Sequence, residues 1–591
     1  MPARRQQTFA ASTVVGAPSA ADLSAAVATL KAEGSKGTAR GLVAAVLGAL
    51  WSARAGGLPI MPGPAAPATD KALATRAAQV AAQWAALPTA QAGQAIGALY
   101  AELMPAEERA RHGVYYTPPA LAERLVDQAG TAGVDWRTAR VLDPAAGGAA
   151  LLIPVARRMA SALDGTEPAL ALHSIAARLS GWELDPFAAW IGNVLLELEL
   201  LDLVRASGRR LPPPIAAGDS LERPEEPAFD LVIGNPPYGR VTLPEALRAR
   251  FGRSLHGHAN LYGVFMDLAV RLARPGGLVS FLTPASFLAG EYFKNLRATL
   301  ATHAPPRAID FVDQRKDVFE GVLQETVLAT YRRGRRTKAA ITILQARPEG
   351  APTLVPAGAF ALRAAPTAPW ILPRHPEDVA LAARLRAMPT RLADWGYRVS
   401  TGPLVWNRHK PQLLSKPVKG CVPVVWAESI TADGRFEWRH EKANHRPWFK
   451  PEDGDAWLIV RRPCVLLQRT TAKEQARRLI AAEMPAAFVR RHGGVTVENH
   501  VNMLVPLTDR PAVSPSVLAA FLNTRAADRA FRCLSGSVAV SASELEALPL
   551  PAVSDLREFN FLVAAGAGRG HLGNAAGIPY GIEEYDASSD P

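Results

Sequence analysis

Two groups of residues in this chain are placed where they could do chemistry. The first is Asn235-Pro236-Pro237-Tyr238, which directly follows the apolar run "FDLVIG". Successive prolines cannot donate to a sheet ladder, so a strand must stop there. An amide, two rigid rings and a phenol therefore stand at the open end of a buried strand. The second group is a set of acidic residues that close short apolar runs: Asp143 in "VLDPAAGGAALL" (141–152), Glu183 in "GWELDP" and Asp219 in "AGDS". Ala145 and Gly147 belong to the small-residue turn after Asp143, where backbone can approach a ligand closely. Three acidic strand ends lining one crevice suit a neutral or cationic nucleoside better than a pyrophosphate, with Glu183 placed to grip ribose hydroxyls. No GxxxxGK[ST] phosphate loop occurs.

The elements that must position these residues can be read from the pattern around them. From 111 to 345, short apolar runs ("RVLDPAAGG", "RLSGWELDP", "FDLVIGNPP", "GGLVSFLTP", "RAIDFVDQ", "ETVLATYRR") alternate with helical segments such as "AAWIGNVLLELELLDLV". Continuous rather than alternating apolar strands are buried on both faces, which predicts a Rossmann-like, doubly wound α/β sheet. Residues 1–110 are alanine-rich with helical spacing and predict an N-terminal helical region. Pro/Ala-rich text after 345 reads as a linker into a mixed α+β domain over 346–555, rich in arginine and tryptophan. Residues 556–591 lack periodicity and predict a flexible tail.

Bulk properties narrow the class. At 591 residues the chain exceeds one core, and 48% apolar residues are enough to fill several. No apolar run is long enough to span a bilayer, and the N-terminal residues lack a secretory h-region. Three cysteines, Cys421, Cys464 and Cys533, fit neither zinc nor disulfide spacings. The expectation is a reduced, cytoplasmic protein without structural metal. The net charge is +12, and residues 401–500 hold 17 Lys/Arg against 10 Asp/Glu, so over half of the excess lies there. That concentration points to a polyanion-binding surface.

The ordered set "GVYYTPP" (113–119), "VLDPAAGG", "GWELDP", "AGDS" and "GNPPY" resembles the gamma-class N6-adenine DNA methyltransferases. The likeness continues through "ANLYGVFMDLAVRLARPGGLVSFLTPASFLAGEYFKNLR" and "VFEGVLQETVLATY", then "VSTGPLVWNR", "QRTTAKEQARRLIAA", "VENHVNML" and "SGSVAVSASELEALPLP", covering roughly 110 to 555. The resemblance implies S-adenosylmethionine as methyl donor. Thr117 and Asp143 would hold its amino-acid end, Glu183 its ribose and Asp219 its adenine amino group. It implies that Asn235 and Pro236 supply two acceptors to an adenine amine, while Tyr238 and Phe319 stack on a base rotated out of double-stranded DNA. The C-terminal third becomes a target-recognition domain, with Arg469, Lys473, Arg477, Arg478 and Asn499 as DNA-contact candidates, Arg490, Arg491 and His500 beside them. Two departures stand out. Ala149 replaces the last glycine of the usual turn, and an extra helix, "EPALALHSIAA", separates Asp143 from Glu183.

Two other functions share parts of this pattern. A protein glutamine methyltransferase also uses Asn-Pro-Pro-Tyr, but on a short chain without a basic domain behind it. A DNA-specificity subunit with a spent catalytic fold would need a broken motif, and both motifs here are intact. The N-terminal region lacks the Pro-Asp and Glu-x-Lys carboxylates of a magnesium nuclease, so a restriction activity is expected from a separate endonuclease.

Overall fold

The computed structural model describes residues 39–67, 71–104, 117–313, 325–334, 338–345, 352–362, 365–442, 444–470, 477–536 and 539–582. They divide into two compact units. The first ends at Pro284 and resumes over Asn295–Thr367; the second comprises Ala285–Lys294 and the chain from Ala368 onward. Phe319 and Lys473 lie outside the described residues.

The first unit is built on a nine-stranded sheet. Its strands are β1 (Val141–Asp143), β2 (Leu179–Glu183), β3 (Ile215–Ala217), β4 (Phe229–Gly234), β7 (Ala273–Pro284), β8 (Pro306–Asp313), β9 (Thr326–Arg332), β10 (Ala339–Gln345) and β11 (Thr353–Phe360). Two-residue strands β5 (Arg240–Val241) and β6 (Ala259–Asn260) form a separate ribbon. The sheet order is β11-β10-β8-β9-β7-β4-β1-β2-β3. β3, β2, β1, β4 and β7 run parallel, while β9 is antiparallel to both neighbours. The chain steps outward from β1 through β2 to β3 and then returns to β4 on the other side of β1. That reversal opens a crevice beyond the carboxyl ends of β1 and β4, the place where such sheets bind ligands. Asp143 and Asn235 stand at those two ends.

Burial on both faces explains the continuous apolar strands: Leu231, Val232 and Ile233 are fully buried. Helices Pro119–Thr131, Pro168–Arg178 and Pro186–Glu199 each begin on proline, whose fixed φ suits a first helical turn. The N-terminal helices Ala39–Ala55, Lys71–Trp84 and Thr89–Leu103 are helical as their spacing suggests, but they have no core of their own. Leu47, Trp51, Ile96 and Leu99 are buried in the same apolar cluster as Ile153, Leu195 and Ile233. The expected boundary at 345 is also displaced. β11 pairs antiparallel with β10, so residues 353–360, read as linker, are an edge strand of the sheet. Alternating burial along β11, with Ala357 and Phe360 inside, hid it among prolines and alanines.

The second unit carries β12 (Tyr397–Thr401), β13 (Leu413–Leu414), β14 (Val422–Val425), β15 (Trp448–Phe449), β16 (Val465–Gln468), β17 (Ala481–Glu483), β18 (Thr496–Val497) and β19 (Val501–Pro506). They make two four-stranded sheets, β12-β19-β16-β17 and β13-β15-β14-β18. Within the expected flexible tail, the described residues form two helices, Arg557–Ala564 and Arg569–Tyr580. Phe559, Ala576 and Tyr580 are buried in the main core of this unit, and the Tyr580 hydroxyl donates to the Pro549 carbonyl at 2.9 Å. Alanine and glycine let the last helix pack closely with little hydrophobic periodicity, which is why its sequence reads as irregular. Of the seven tryptophans in this unit, Trp370, Trp395 and Trp426 are core while Trp457 is 66% exposed.

Candidate functional site

The crevice in the first unit is assembled from four chain segments. β1 delivers Asp143, which is 1% exposed and accepts from the Ala145 amide at 2.9 Å. Burial pushes its carboxyl from the ordinary 3.8 up to about 8; the Ala145 N–H opposes the shift and the Glu183 carboxylate adds to it. Burial therefore favours the protonated form of Asp143, and a neighbouring cation would favour its carboxylate. The turn after it passes through Gly147 at φ 49° and Ala149 at φ 66°, the sole non-glycine with positive φ among the described residues. The substitution noted in the sequence thus sits in a left-handed backbone position that costs an alanine roughly 1–2 kcal/mol.

β2 delivers Glu183. One of its oxygens accepts from the Gly147 amide at 2.8 Å and the other from the Asp185 amide at 2.9 Å. The carboxylate of Glu183 thus fastens the small-residue turn to its own strand end. Gly181 precedes it because a Cβ there would stand 2.9 Å from Ala146, Ile215 and Leu152 atoms. Asp219, after β3, caps a short turn by accepting from the Leu221 amide at 2.8 Å, and the neighbouring Ser220 hydroxyl donates to the Pro144 carbonyl at 2.6 Å. Asp143, Ala145, Gly147, Glu183 and Asp219 are brought together around one end of the sheet.

Asp185 was not singled out by sequence, yet it braces this edge. It caps helix Pro186–Glu199 by accepting from Phe187 at 3.0 Å, and its other oxygen accepts from the Tyr100 hydroxyl at 2.5 Å. Arg40 lies 3.5 Å from the same carboxylate. The N-terminal helices therefore reach the loop that carries Glu183. The Asp-Pro pair announced the cap; nothing local announced Tyr100.

The fourth segment is the Asn-Pro-Pro-Tyr turn. Asn235 Nδ2 donates to Thr117 Oγ1 at 3.1 Å, and the Tyr238 hydroxyl donates to Asn235 Oδ1 at 2.6 Å. Thr117, assigned above to the donor's amino-acid end, thus touches the amide of the Asn-Pro-Pro-Tyr turn. Tyr238 packs edge-on against the buried Tyr262 ring, centroids 6.2 Å apart, and burial pushes its phenol upward. Gly239 at φ 117° turns the chain into β5, and its carbonyl accepts from the Leu261 amide at 2.9 Å. The turn is pinned on both sides. Pro236 is buried between these contacts, and Pro237 is partly exposed.

The nucleic-acid candidates fall into two groups within the second unit. Arg469 follows β16, its guanidinium donates to the Asn499 carbonyl at 3.2 Å, and its amide donates to the His500 carbonyl at 2.9 Å. His500 pairs with the buried Glu498 at 2.7 Å and is itself 56% exposed. Arg469, Asn499 and His500 form one cluster. Arg477 lies elsewhere, its guanidinium donating to the Ala432 carbonyl at 2.8 Å and to the Asn523 carbonyl. The Arg478 amide is held by Asp528, 2.5 Å away. Arg490 and Arg491 are exposed on helix Ala486–His492.

Residues 215–319, which span β3, β4 and the Asn-Pro-Pro-Tyr turn, match the family described as Eco57I restriction-modification methylase. The chain is 26% identical over 343 residues to the type II methyltransferase M.PstI of Providencia stuartii, covering 56% of this chain and 67% of that one. It is 24% identical over 350 residues to M.BsuBI of Bacillus subtilis, with the same coverage. The Type IIL restriction-modification enzyme MmeI, solved in complex with DNA, shares the fold at a TM-score of 0.54 and 14% identity, over 89% of this chain and 83% of that one. With a family match that spans the Asn-Pro-Pro-Tyr turn, and relatives extending well beyond it, the chain is similar to restriction-modification methylases and type II methyltransferases.

Proposed function

We propose that the protein transfers a methyl group from S-adenosylmethionine to N6 of an adenine rotated out of double-stranded DNA. The observation that carries this reading is the Asn235 amide, fixed at the end of β4 with its nitrogen on Thr117 and its oxygen facing the Tyr238 hydroxyl.

The donor fits the residues present. Asp143 is a buried carboxyl whose desolvation favours the neutral form, so a cationic group beside it would be matched by its carboxylate, and Glu183 and Asp219 add carboxylates suited to hydroxyl and amino groups. S-adenosylmethionine supplies an electrophilic methyl group on a positively charged sulfur. Asp143 and the Ala145–Gly147 turn would hold its amino-acid end, Glu183 its ribose, and Asp219 its adenine.

The residues of the chain then solve a positioning problem. An exocyclic amine is a poor nucleophile because its lone pair is delocalised into the ring. Asn235 Oδ1 and the Pro236 carbonyl accept its two hydrogens and localise that pair on nitrogen. The proline ring fixes the direction of the carbonyl. Tyr238 gives up its bond to Asn235 and stacks on the base, with Phe319 on the opposite face. The proton leaves after transfer, so no strong base is needed.

Rotating the base out costs a few kcal/mol, which DNA contacts in the second unit must offset. Arg469 and Asn499, with Lys473, Arg477 and Arg478, are the candidates for those contacts, and double-stranded DNA is the partner. Cleavage of unmodified DNA is assigned to a separate endonuclease, and both activities to the cytoplasm.

The test is direct. Purified protein, incubated with labelled S-adenosylmethionine and mixed duplexes, should yield N6-methyladenine on nucleoside digestion. Label on cytosine alone, or on no base, would overturn the reading.

A further inference from the structure

Two hydrogen bonds separate Glu183 from the N-terminal helices, and Asp185 is the link between them. We propose that Tyr100 is a positioning residue for the methyl-donor site, acting through Asp185 on the Glu183 carboxylate. The proposal rests on the ribose-binding role given to Glu183.

Each contact in this chain has a fixed direction. The Tyr100 hydroxyl donates to Asp185 Oδ2 at 2.5 Å, because an ionised carboxylate only accepts. Burial, then the hydrogen bond to Asp185, pushes the Tyr100 phenol upward, so the donated proton stays in place. The Asp185 amide donates to Glu183 Oε1 at 2.9 Å, and the Gly147 amide donates to Glu183 Oε2 at 2.8 Å. Carboxylate oxygens accept more than one hydrogen bond, so both retain room for hydroxyl groups.

Asp185 depends on Tyr100 more than on its other neighbours. It is 3% exposed, so water is poorly placed to replace a lost donor. Its Oδ1 accepts from the Phe187 amide at 3.0 Å, while Arg40 stands 3.5 Å from that same oxygen and is 49% exposed to screening solvent. Tyr100 is the short contact to Oδ2, and its mount is firm. Its ring is 1% exposed and lies 5.2 Å from the Phe187 ring, on a helix whose Ile96 and Leu99 are buried. Tyr100 is 85 positions from Asp185 and outside the residues 215–319 that match the family. The N-terminal helices thereby become part of the donor site.

The experiment is calorimetric binding of S-adenosylmethionine to the full chain carrying Tyr100→Phe, Glu183→Ala or both, with kcat measured at saturating donor. Phenylalanine keeps the packed ring and removes the hydroxyl. Tyr100→Phe should raise the donor Kd roughly 5–20-fold, with kcat within about twofold. In the Glu183→Ala background the same substitution should change Kd less than about twofold, because the contacts have lost their end point. A merely structural role would weaken donor binding equally in both backgrounds; that additivity, or an unchanged Kd for Tyr100→Phe alone, would overturn the proposal. Should Tyr100→Phe fail to fold, Asp185→Asn in the two backgrounds makes the same comparison. If Glu183→Ala alone binds donor as tightly as wild type, the ribose-binding role itself falls, so the two failures are distinguishable.

Discussion

Asn235 and Asp143 stand at adjacent strand ends, and the role proposed for each predicts its own measurement. Asn235→Ala should retain affinity for S-adenosylmethionine by calorimetry while methyl transfer falls at least ~10²-fold, the cost of deleting one preorganised hydrogen-bond partner in a transition state. Asp143 predicts a pH dependence. Its folded pKa of about 8 lies above the ordinary 3.8, so between those values the folded chain binds the extra proton and stability falls as pH rises. A bound cation favours the carboxylate, so donor binding should release a proton below pH 8, and affinity should climb toward pH 8 and then level. Calorimetry in buffers of different ionisation enthalpy reads that proton. Asp143→Asn should melt higher than wild type at pH 8 without donor and bind the donor far more weakly. Both residues were legible because each closes an apolar run whose strand identity is plain. Thr117 was picked out by sequence, but its contact with Asn235 was not: that contact spans 118 positions, and only the fold brings its ends together.

The elements around the crevice are fitted to it. Gly181 leaves room for Ala146, Ile215 and Leu152, all 2.9 Å from where its Cβ would stand. Gly181→Ala should therefore lower stability by about 1–3 kcal/mol through overpacking and displace the turn carrying Gly147. A lower melting temperature together with weaker donor binding is the expected pair of readings; weaker binding at unchanged stability would contradict the packing argument. The parallel strands and their acidic ends could be read in advance because continuous apolar runs and proline stops are local signals. β11 and the two C-terminal helices could not. Each is buried along a narrow stripe of alanine, glycine or spaced apolar residues, and that stripe has meaning only against its neighbour.

At the scale of the molecule, charge and covalent continuity each make a prediction. Excess positive charge between 401 and 500 should make duplex affinity fall steeply with salt, by a slope of roughly −0.9 per phosphate neutralised. Titrations at several ionic strengths measure it, and a flat response would remove these arginines from DNA contact. The concentration of charge was visible in the sequence, while its division between a cluster at Arg469 and a second group at Arg477 required the fold. The path of the chain was not visible at all. Residues Ala285–Lys294 belong with the second unit although the chain then returns to the first for Asn295–Thr367. There, Ala289 joins the main core, the Leu288 carbonyl accepts from the Trp370 amide at 2.8 Å, and Phe287 packs against Trp370. A specificity graft spliced at a single junction near 346 or 368 would leave that ten-residue piece behind in the recipient and import a core lacking its plug. Exchanging target preference between relatives by recombination therefore needs paired crossovers, and a fragment beginning at 368 should express as a proteolysis-sensitive chain unless the missing decapeptide is restored.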